Sequence, residues 1–235
     1  MEIPRITLII PAYNEQAHIL TTIGESAKIF DTLQVRYEIF VINDGSRDRT
    51  GELIEEYARS HPQVRVLHNE RNRGYGYTCQ RGIREARGEY IGYISADTLW
   101  DPQALGAIIR KLGQSDIITV YTPEADTRSL LRRFISRGFT TMMNMLFGLR
   151  IRYYNGPSFH RRELVQAMTI YSEGLTIWAE ILIRLIKSGH SYQELPASFA
   201  ERTTGRSTAL KFKNIWATVK IVAILVREVY FSSEH

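Results

Sequence analysis

Short runs of aliphatic and β-branched residues alternate with longer segments of helical periodicity along the first half of the chain. Apolar strands that alternate with helices are typical of a mostly parallel sheet covered by helices on both faces. The loops that follow such strands meet at one edge of the sheet, where open α/β sheets bind their ligands. The predicted strands are Ile6–Ile10, Glu38–Ile42, Val64–His68, Tyr90–Ser95 and Asp116–Val120, and the predicted helices span about residues 15–31, 48–60, 74–87 and 102–113.

The pattern changes from about residue 127 onward, where helical periodicity dominates. We find no internal repeat and no Pro/Ser-rich linker, so a single domain over residues 1–235 is the simplest interpretation. Within it we distinguish residues 1–122, 123–208 and a C-terminal amphipathic helix at 209–235. The elements predicted here are a helix ending at Leu149, a strand near Tyr153–His160, a helix at about 174–188, a strand at Tyr192–Leu195 and a helix at about 209–231.

Composition places the chain among ordinary globular proteins. Of its 235 residues 44% are hydrophobic and 23% are charged, which excludes a disordered tail, a collagen-like fibre and a disulfide scaffold. Lysine and arginine number 30 against 25 acidic residues, so the formal charge of +5 favours an anionic partner such as nucleic acid, phosphate or a membrane surface. The single cysteine, Cys79, indicates a reducing cytoplasm, and we expect neither a signal peptide nor a membrane-spanning helix.

Two polar motifs follow the first two strands directly. The first is PAYNE, at Pro11–Glu15, and the second is NDGSRDRT, at Asn43–Thr50. Each alone is explained by helix capping or turn chemistry. Together, at adjacent strand ends on one sheet edge, they indicate a ligand site. A third motif, Asn72–Ile91, contains spaced glycines and a final Ala-x-Gly before the next strand.

In this order and spacing, the motifs resemble those of the family 2 glycosyltransferases, which have the GT-A fold. The resemblance implies an α/β fold with a mostly parallel central sheet, helices on both faces and a helical, basic C-terminal third. It also implies a nucleotide-sugar-binding half at 1–122 and an acceptor half at 123–208. The donor-binding residues that it implies are Pro11, Ala12, Tyr13, Glu15, Asp44, Gly74, Ala96 and Asp97.

The resemblance gives these residues separate roles. Tyr13 and Asp44 would frame the nucleotide base, and Glu15 would lie near the ribose. Gly74 would let the chain pass close to the donor at a helix start, which suits an anionic diphosphate. The alternative is that the spaced glycines only permit close packing of the helix on the sheet.

The chain departs from the family at its Asp-x-Asp motif, because Ser95 stands where the first aspartate is expected and only Asp97 remains. Magnesium is commonly held by one or two carboxylates together with phosphate oxygens, so we expect Asp97 to bind Mg²⁺ or Mn²⁺, more weakly than the complete motif would. Asp101, which Pro102 follows, is predicted to cap a helix rather than to ligate metal.

The segment Gly174–Thr208 resembles the C-terminal signature of the dolichyl-phosphate mannose synthase group of polyprenyl-phosphate sugar transferases. The matching positions are Glu180, Glu194-Leu195-Pro196, Arg202, Gly205 and Ser207, whereas Thr208 replaces the lysine of the pattern. Family members that glycosylate a hydroxyl need a general base, usually the aspartate of a Glu-Asp pair, and that pair falls here at Ile177-Trp178. Because a lipid phosphate is already ionised at neutral pH, the missing base favours a phosphate acceptor.

Eight arginines and no acidic residue occur between Arg128 and Arg162. The apolar residues between them are typical of a core helix, and also of a helix at a membrane interface. Nucleic acid is the third possibility, which we do not favour because no nucleic-acid-binding module is recognisable. We expect Arg133, Arg137, Arg202 and Ser207 to bind the acceptor phosphate, with Asp97 and Arg202 as catalytic residues.

These features together predict an inverting hexosyltransferase that uses a UDP- or GDP-linked sugar. The expected acceptor is a polyprenyl or dolichyl phosphate, and the expected location is the cytoplasmic face of a membrane, with peripheral attachment. The alternatives are transfer to a saccharide or protein hydroxyl, and a nucleotide-sugar-binding protein without catalytic activity.

Overall fold

The strands predicted for the first half of the chain lie side by side in one sheet. The computed structural model describes residues 3–121, 130–197, 199–201 and 212–231. Its strands are β1 (Ile6–Ala12), β2 (Tyr37–Asn43), β3 (Val64–His68), β4 (Tyr90–Tyr93), β5 (Thr98–Trp100), β6 (Ile117–Tyr121), β7 (Ser158–Arg161), β8 (Tyr192–Pro196) and β9 (Phe199–Glu201). Its helices are α1 (Ile19–Thr32), α2 (Thr50–Ser60), α3 (Tyr75–Glu85), α4 (Pro102–Lys111), α5 (Leu130–Phe147), α6 (Arg162–Gln166), α7 (Ile177–Lys187) and α8 (Phe212–Phe231).

The main sheet has seven strands in the order β3-β2-β1-β4-β7-β6-β8. Only β7 runs against its neighbours, so the sheet is mostly parallel and the predicted α/β class is confirmed. Strands β1, β2, β4 and β6 therefore end at the same edge, called here the site edge. Strands β5 and β9 form a separate antiparallel pair beside that edge.

Side-chain alternation along the central strands divides the core into two layers. In β1, Ile6, Leu8 and Ile10 face the layer that contains α1 and α4, whereas Ile9 faces the layer that contains α3 and α7. Both sets are fully buried. A strand buried on both faces reads as a continuous apolar run, and this explains why the sequence predicted these strands well.

The start of α4 confirms the predicted role of Asp101. Its side chain accepts a hydrogen bond of 3.2 Å from the backbone N–H of Gln103, and Pro102 occupies the first helical position. The Asp101 carboxylate therefore caps α4, and Asp97 is the acidic residue that remains in the preceding loop.

The strand predicted near Tyr153–His160 is mostly wrong, because β7 begins only at Ser158. The preceding segment is a loop that the side chain of Asn144 holds. Its amide donates to the carbonyl of Ile151, and its Oδ1 accepts from the Ile151 N–H and the Tyr154 hydroxyl. These bonds satisfy the backbone at a point where a strand would need a neighbouring ladder.

The two helices predicted at about 127–149 and 209–231 are present as α5 and α8, and their expected first residues lie outside the described part of the chain. Among the described helices none is both long enough and apolar enough to cross a bilayer. Cys79 is buried and free, and burial raises the pKa of its thiol to about 12, so it packs as a small apolar residue as expected.

Candidate active site

Two polar loops at the site edge are tied together by reciprocal hydrogen bonds. The backbone N–H of Asn14 donates to Ser46 Oγ at 3.0 Å, and Asn14 Oδ1 accepts from the N–H of Arg47 at 2.8 Å. The N–H of Glu15 donates to Thr50 Oγ1 at 2.8 Å. Asn14 has a φ of +56°, a conformation that asparagine tolerates better than most residues. The motifs that follow β1 and β2 are therefore one structural unit.

The next residues of the two loops extend this unit. The N–H of Gln16 donates to Asp48 Oδ2 at 3.2 Å, and Gln16 Oε1 accepts from the N–H of Arg49 at 3.0 Å. Where the strands end, the N–H of Asp44 donates to the carbonyl of Ala12 at 2.8 Å. Pro11 is half-buried, Ala12 is buried and Tyr13 is 41% exposed. Of the predicted donor-binding residues in this loop, Tyr13 thus presents an accessible aromatic ring.

The carboxylate of Asp44 is buried and holds the loop that leads into α3. Its Oδ1 accepts from the Asn69 amide at 2.7 Å and from the Arg73 N–H at 2.9 Å, and its Oδ2 accepts from the Gly74 N–H at 2.9 Å. Sequence reasoning assigned Asp44 to the nucleotide base. The contacts give it an internal task that was not foreseen, which is to fix residues 69–74 against the end of β2.

Two local causes, backbone conformation and close packing, account for the spaced glycines, and the donor role expected for Gly74 stays a prediction. Gly74, which precedes α3, has a φ of +95°, a conformation that L side chains rarely adopt. At Gly76 a Cβ would lie 2.2 Å from the carbonyl carbon of Glu173, and at Gly82 and Gly88 it would meet β1. Close packing therefore explains three of these glycines, and backbone conformation explains the fourth.

The loop from Ile94 to Asp97 joins β4 to β5 at the site edge. Thr22 of α1 donates its hydroxyl to the carbonyl of Ala96 at 2.7 Å, and the Thr98 N–H donates to the carbonyl of Ser95 at 3.1 Å. Ala96 is buried, Ser95 is exposed and Asp97 is partly exposed. The backbone around Asp97 is therefore fixed while its carboxylate remains accessible from solvent.

Glu15 and Asp97 come close enough to influence each other electrostatically. Burial, followed by the negative charges of Asp97 and Asp48, together raise the pKa of Glu15 from 4.5 to about 7. At neutral pH the Glu15 carboxyl is thus partly protonated. The charge of a cation beside Asp97 would reverse part of this effect.

The residues at the site edge suit a hard divalent cation only if a bound substrate supplies further oxygen ligands. Within the described residues no three His, Cys, Asp or Glu side chains form a metal-binding cluster. Asp97 offers one accessible carboxylate, and Mg²⁺ is commonly held by one or two carboxylates with substrate phosphates and water. The donor set therefore fits a cation that binds with a diphosphate.

Helix α7 buries both positions where a catalytic base was looked for. Ile177 and Trp178 are almost completely buried. The Trp178 ring stacks on Tyr93 with centroids 3.8 Å apart and planes 2° apart, and its Nε1–H donates to the hydroxyl of Tyr75 at 3.1 Å. Core packing uses these positions, so they offer no proton acceptor.

Glu180 of α7 fixes the loop that packs against α3, a role that sequence reasoning missed. Its carboxylate is fully buried and accepts the backbone N–H of Tyr171 at 2.8 Å and of Ser172 at 2.7 Å. Burial raises its pKa, although these hydrogen bonds oppose the rise. The other end of the loop accepts the N–H of Gly76 through the carbonyl of Glu173 at 3.1 Å.

A further bond, from the Gln80 amide to the Ser172 carbonyl at 3.0 Å, joins α3 to the same loop. Residues 171–174, together with Glu180, Gly76 and Gln80, are called the Glu180 clamp below. The clamp connects α7 to the helix whose first residues Asp44 fixes. Its sequence signals were a glutamate in the apolar first half of α7 and the place of Glu180 in the family signature.

The arginine-rich stretch does not form one surface. Arg133 is half-buried and Arg137 exposed on α5, whereas Arg161 pairs with Asp116 at 3.0 Å and Arg162 donates to the carbonyl of Gly88 at 2.9 Å. This second pair lies at the sheet edge opposite the site, because Arg161 is in register with Tyr90 at the start of β4. Arg202 and Ser207, which were expected at the acceptor phosphate, lie outside the described residues.

The chain is similar to known proteins in both sequence and structure. Residues 7–169 match the model of the family described as glycosyl transferase family 2. A putative glycosyltransferase EpsH of Bacillus subtilis is 29% identical over 175 residues, which cover 71% of this chain and 50% of that protein. A dolichol-phosphate mannosyltransferase of Pyrococcus furiosus is 28% identical over 233 residues, which cover 95% of this chain and 64% of that protein. The chain spans about half to two thirds of the length of such relatives.

The fold is shared with solved structures of low sequence identity. Glucosyl-3-phosphoglycerate synthase from Mycobacterium tuberculosis, in complex with Mn²⁺, UDP and glucosyl-3-phosphoglycerate, has a TM-score of 0.69 at 17% identity, covering 96% of this chain and 80% of that one. S. aureus TarS in complex with UDP-GlcNAc also has a TM-score of 0.69, at 15% identity, covering 95% of this chain and 66% of that one. The predicted GT-A fold is confirmed.

Proposed function

The chain belongs to glycosyl transferase family 2, and we propose that it transfers a sugar from a nucleotide diphosphate to the phosphate of a polyprenyl-type lipid. The observation that carries this proposal is the pair of interlocked loops after β1 and β2, which lie at the same sheet edge as Asp97. Open α/β sheets bind nucleotides at that edge, where strand ends and helix starts provide polar groups.

The donor side of the proposal rests on accessible groups around this edge. Tyr13 offers an exposed ring for a nucleotide base, and Glu15 offers a half-buried carboxyl for the ribose region. Structural neighbours hold UDP or UDP-GlcNAc in their solved complexes, which supports a UDP-linked donor, whereas a GDP-linked donor rests on the sequence resemblance alone.

A divalent cation belongs to this proposal because neighbours of the same fold hold Mn²⁺ or Mg²⁺ together with UDP. Asp97 is the residue that would hold it here, with the donor diphosphate supplying the other oxygens. Bound there, the cation would supply positive charge to the leaving diphosphate. Ser95 adds no carboxylate, so affinity for the free cation would be weak.

The acceptor side of the proposal rests on the absence of a catalytic base from the two expected positions of α7. A hydroxyl acceptor must lose a proton near the transition state, and the buried Ile177 and Trp178 cannot take it. A phosphate acceptor needs no such base, since its second pKa is about 6. Relatives named dolichyl-phosphate β-glucosyltransferase and dolichol-phosphate mannosyltransferase support the same choice.

In the proposed reaction an acceptor phosphate oxygen forms a bond to the anomeric carbon while the bond from that carbon to the donor diphosphate breaks. The nucleoside diphosphate leaves with the electron pair, and the configuration at the anomeric carbon inverts. Asp97 orients the diphosphate, and Arg202 with Arg133, Arg137 and Ser207 neutralises and positions the acceptor phosphate. Such an acceptor would bring the enzyme to the cytoplasmic face of a membrane, without itself requiring a spanning helix.

The test is transfer from labelled UDP- and GDP-sugars to a polyprenyl phosphate, measured as label in the organic phase. We expect lipid-linked product from the wild type and a loss of at least about a hundredfold in Asp97→Asn, which removes the charge that orients the diphosphate. Asp31→Asn, at the end of α1, is the matched control and should retain activity. A folded protein that transfers no sugar from any donor would contradict the proposal.

The second candidate is a nucleotide-sugar-binding protein without catalytic activity, and Ser95 is the observation that favours it. Calorimetry that detects donor binding, with neither transfer nor hydrolysis of the sugar nucleotide, would select this function. Transfer to a soluble saccharide in the absence of lipid would instead select a hydroxyl acceptor.

A further inference from the structure

Exposed large apolar side chains concentrate on two neighbouring helices. Of the fourteen in the described residues nine belong to α5 or α8, where a few scattered ones would be ordinary. Several are largely exposed, including Phe134 at 78%, Met145 at 74% and Phe231 at 75%. The nine are Phe134, Ile135, Met142, Met145, Leu146, Trp216, Val219, Tyr230 and Phe231.

On α8 the exposed residues form one stripe along the helix. They recur at steps of three or four, which places them on one face. The opposite face contains Ile221 and Leu225, which are buried in the core. The exposed stripe comprises Trp216, Val219, Lys220, Ala223, Arg227, Tyr230 and Phe231, so aromatic rings occupy both ends and cations lie between them.

On α5 the exposed apolar residues follow the same spacing, while Met143 and Phe147 point into the core. The two helices are in contact, and the Tyr230 hydroxyl donates to the carbonyl of Leu146 at 2.7 Å. The two stripes therefore belong to one surface, called here the α5–α8 face.

The charge of the α5–α8 face is positive wherever it is described. Arg137, Lys220 and Arg227 are exposed, and α5 has no acidic residue. The one acidic residue of α8, Glu228, is only partly exposed and pairs with Arg184 at 3.0 Å. Positive charge on an apolar surface complements an anionic lipid headgroup layer, and it opposes a symmetric contact in which the face would meet a second copy of itself.

We propose that the α5–α8 face is a docking surface for an anionic lipid bilayer, with both helices lying in the headgroup region. Helices of this composition, with aromatic and aliphatic side chains beside Lys and Arg, bind membranes in that orientation. Along the chain both helices come after strands near the candidate site, because α5 follows β6, which ends at the site edge, and α8 follows β9, whose Glu201 pairs with Thr98 next to Asp97. The inference rests on the proposed function, since it supplies the surface that brings a lipid acceptor to that edge.

Co-sedimentation of the full chain with vesicles tests the proposal. We expect binding to vesicles of phosphatidylcholine mixed with phosphatidylglycerol, and much less binding to phosphatidylcholine alone. Trp216→Ser should lower the partition coefficient about tenfold, because it removes one large apolar side chain from the interface. Lys220→Gln combined with Arg227→Gln should abolish most of the preference for the anionic vesicles.

Matched substitutions separate docking from general hydrophobicity. Val219→Ser should weaken vesicle binding, whereas Ile3→Ser should not, although the two side chains are similarly exposed at 53% and 56%. Ile3 precedes β1 and therefore lies near the opposite edge of the sheet. Equal vesicle binding by Val219→Ser and wild type would overturn the proposal, as would light scattering that detects a dimer which Trp216→Ser dissociates.

Failure of vesicle docking can be distinguished from failure of the proposed sugar transfer. Sugar transfer to a short-chain, water-soluble polyprenyl phosphate needs no bilayer. Trp216→Ser should retain that activity while losing activity on acceptor embedded in vesicles. Vesicle binding without transfer to either acceptor would leave the docking surface standing and contradict the transferase proposal.

Discussion

At the scale of single residues, the carboxylate of Asp44 accepts three hydrogen bonds from the chain itself. Three donors from residues 69–74 reach it, so the aspartate shapes the loop before any ligand is bound. Its position after β2 was predictable from the motif. Its partners were not, because they come from a loop 25 to 30 residues further along the chain, which only the folded sheet brings into contact.

Ser95 gives a prediction at the same scale. It is exposed and lies two residues before Asp97, so Ser95→Asp adds a second carboxylate to the same loop without disturbing the core. We expect a tenfold or greater rise in affinity for Mn²⁺, on the order of 1.4 kcal/mol, because one more hard oxygen ligand and one more negative charge face the cation. Isothermal titration with Mn²⁺ in the presence of UDP measures it.

Ser46→Asp is the control for Ser95→Asp, since it adds the same charge in the neighbouring loop. An affinity that rises equally in both variants would assign the effect to general electrostatics. An unchanged affinity and unchanged turnover in Ser95→Asp would mean that position 95 does not face the cation.

At the scale of elements, the strands of the first half were predictable because burial on both faces gives each one a continuous apolar run. The pair β5–β9 was not predictable. Each strand has only three residues, and the partners Thr98 and Glu201 are far apart in sequence. Asp97 thus precedes a strand that no local pattern indicates, although the carboxylate itself was found from its motif.

The contact of α3 with residues 172–174 can be tested by adding a single methyl group. In Gly76→Ala the new Cβ would lie 2.2 Å from the carbonyl carbon of Glu173, so helix or loop must shift. We expect unfolding free energy to fall by about 1–3 kcal/mol, as in other overpacked sites, and donor affinity to fall with it. Thermal unfolding and donor calorimetry measure the two effects.

Gly138→Ala is the control for this contact, because nothing lies within 4 Å of a Cβ at that helical position. It should be neutral or stabilising by up to about 1 kcal/mol. The packing explanation would fail if both alanine variants had the same stability.

The Glu180 clamp gives a second prediction at this scale. In Glu180→Gln one of the two backbone donors, Tyr171 N–H or Ser172 N–H, would face an amide NH₂ instead of an oxygen. We expect a loss of about 1–3 kcal/mol of stability and a higher KM for the donor, because the clamp holds the helix that follows Gly74, with acceptor KM changed less. Steady-state kinetics with each substrate varied in turn separates the two KM values.

Glu163→Gln is the matched control for the clamp, since that side chain is 71% exposed. It should change neither KM. If Glu180→Gln lowered kcat alone and left both KM values intact, the clamp would not position the donor side.

At the scale of the whole molecule, the two-layered core and the site edge were predictable, and the distribution of charge was not. The arginines counted together in the sequence separate in space, with Arg137 on the α5–α8 face and Arg161 at the edge opposite the site. Strand β7 causes this, because it carries the chain from the site edge to the other edge within four residues. A count of charges along the sequence does not show that the chain changes from one edge of the sheet to the other.

Whole-molecule stability should depend on pH through His160. This fully buried side chain accepts or donates a hydrogen bond of 2.7 Å with Ser158, and burial lowers its pKa from 6.5 to about 3. The unfolded chain binds a proton here below pH 6.5 and the folded chain does not, so stability is complete above 6.5 and is lost as the pH falls toward 3. We expect a contribution of about 1.4 kcal/mol per pH unit in that window.

Urea unfolding at several pH values between 7.5 and 4.5 measures this dependence. His160→Gln should be less stable at pH 7.5 but should have a shallower pH slope. His61→Gln, in which a partly exposed histidine is replaced, should keep the slope of the wild type. Identical slopes in all three proteins would rule out His160 as the cause.

The stacking of Trp178 on Tyr93 has a consequence for how such a chain can evolve. A catalytic base at the position that the family pattern gives it would require a carboxylate at position 178, where the tryptophan is 2% exposed and its indole N–H donates to Tyr75. Trp178→Asp would leave a cavity beside Tyr93 and an unpaired buried charge, each of which costs several kcal/mol. Under the proposed function, a change to a hydroxyl acceptor by this route would therefore need compensating substitutions in the core together with the new carboxylate.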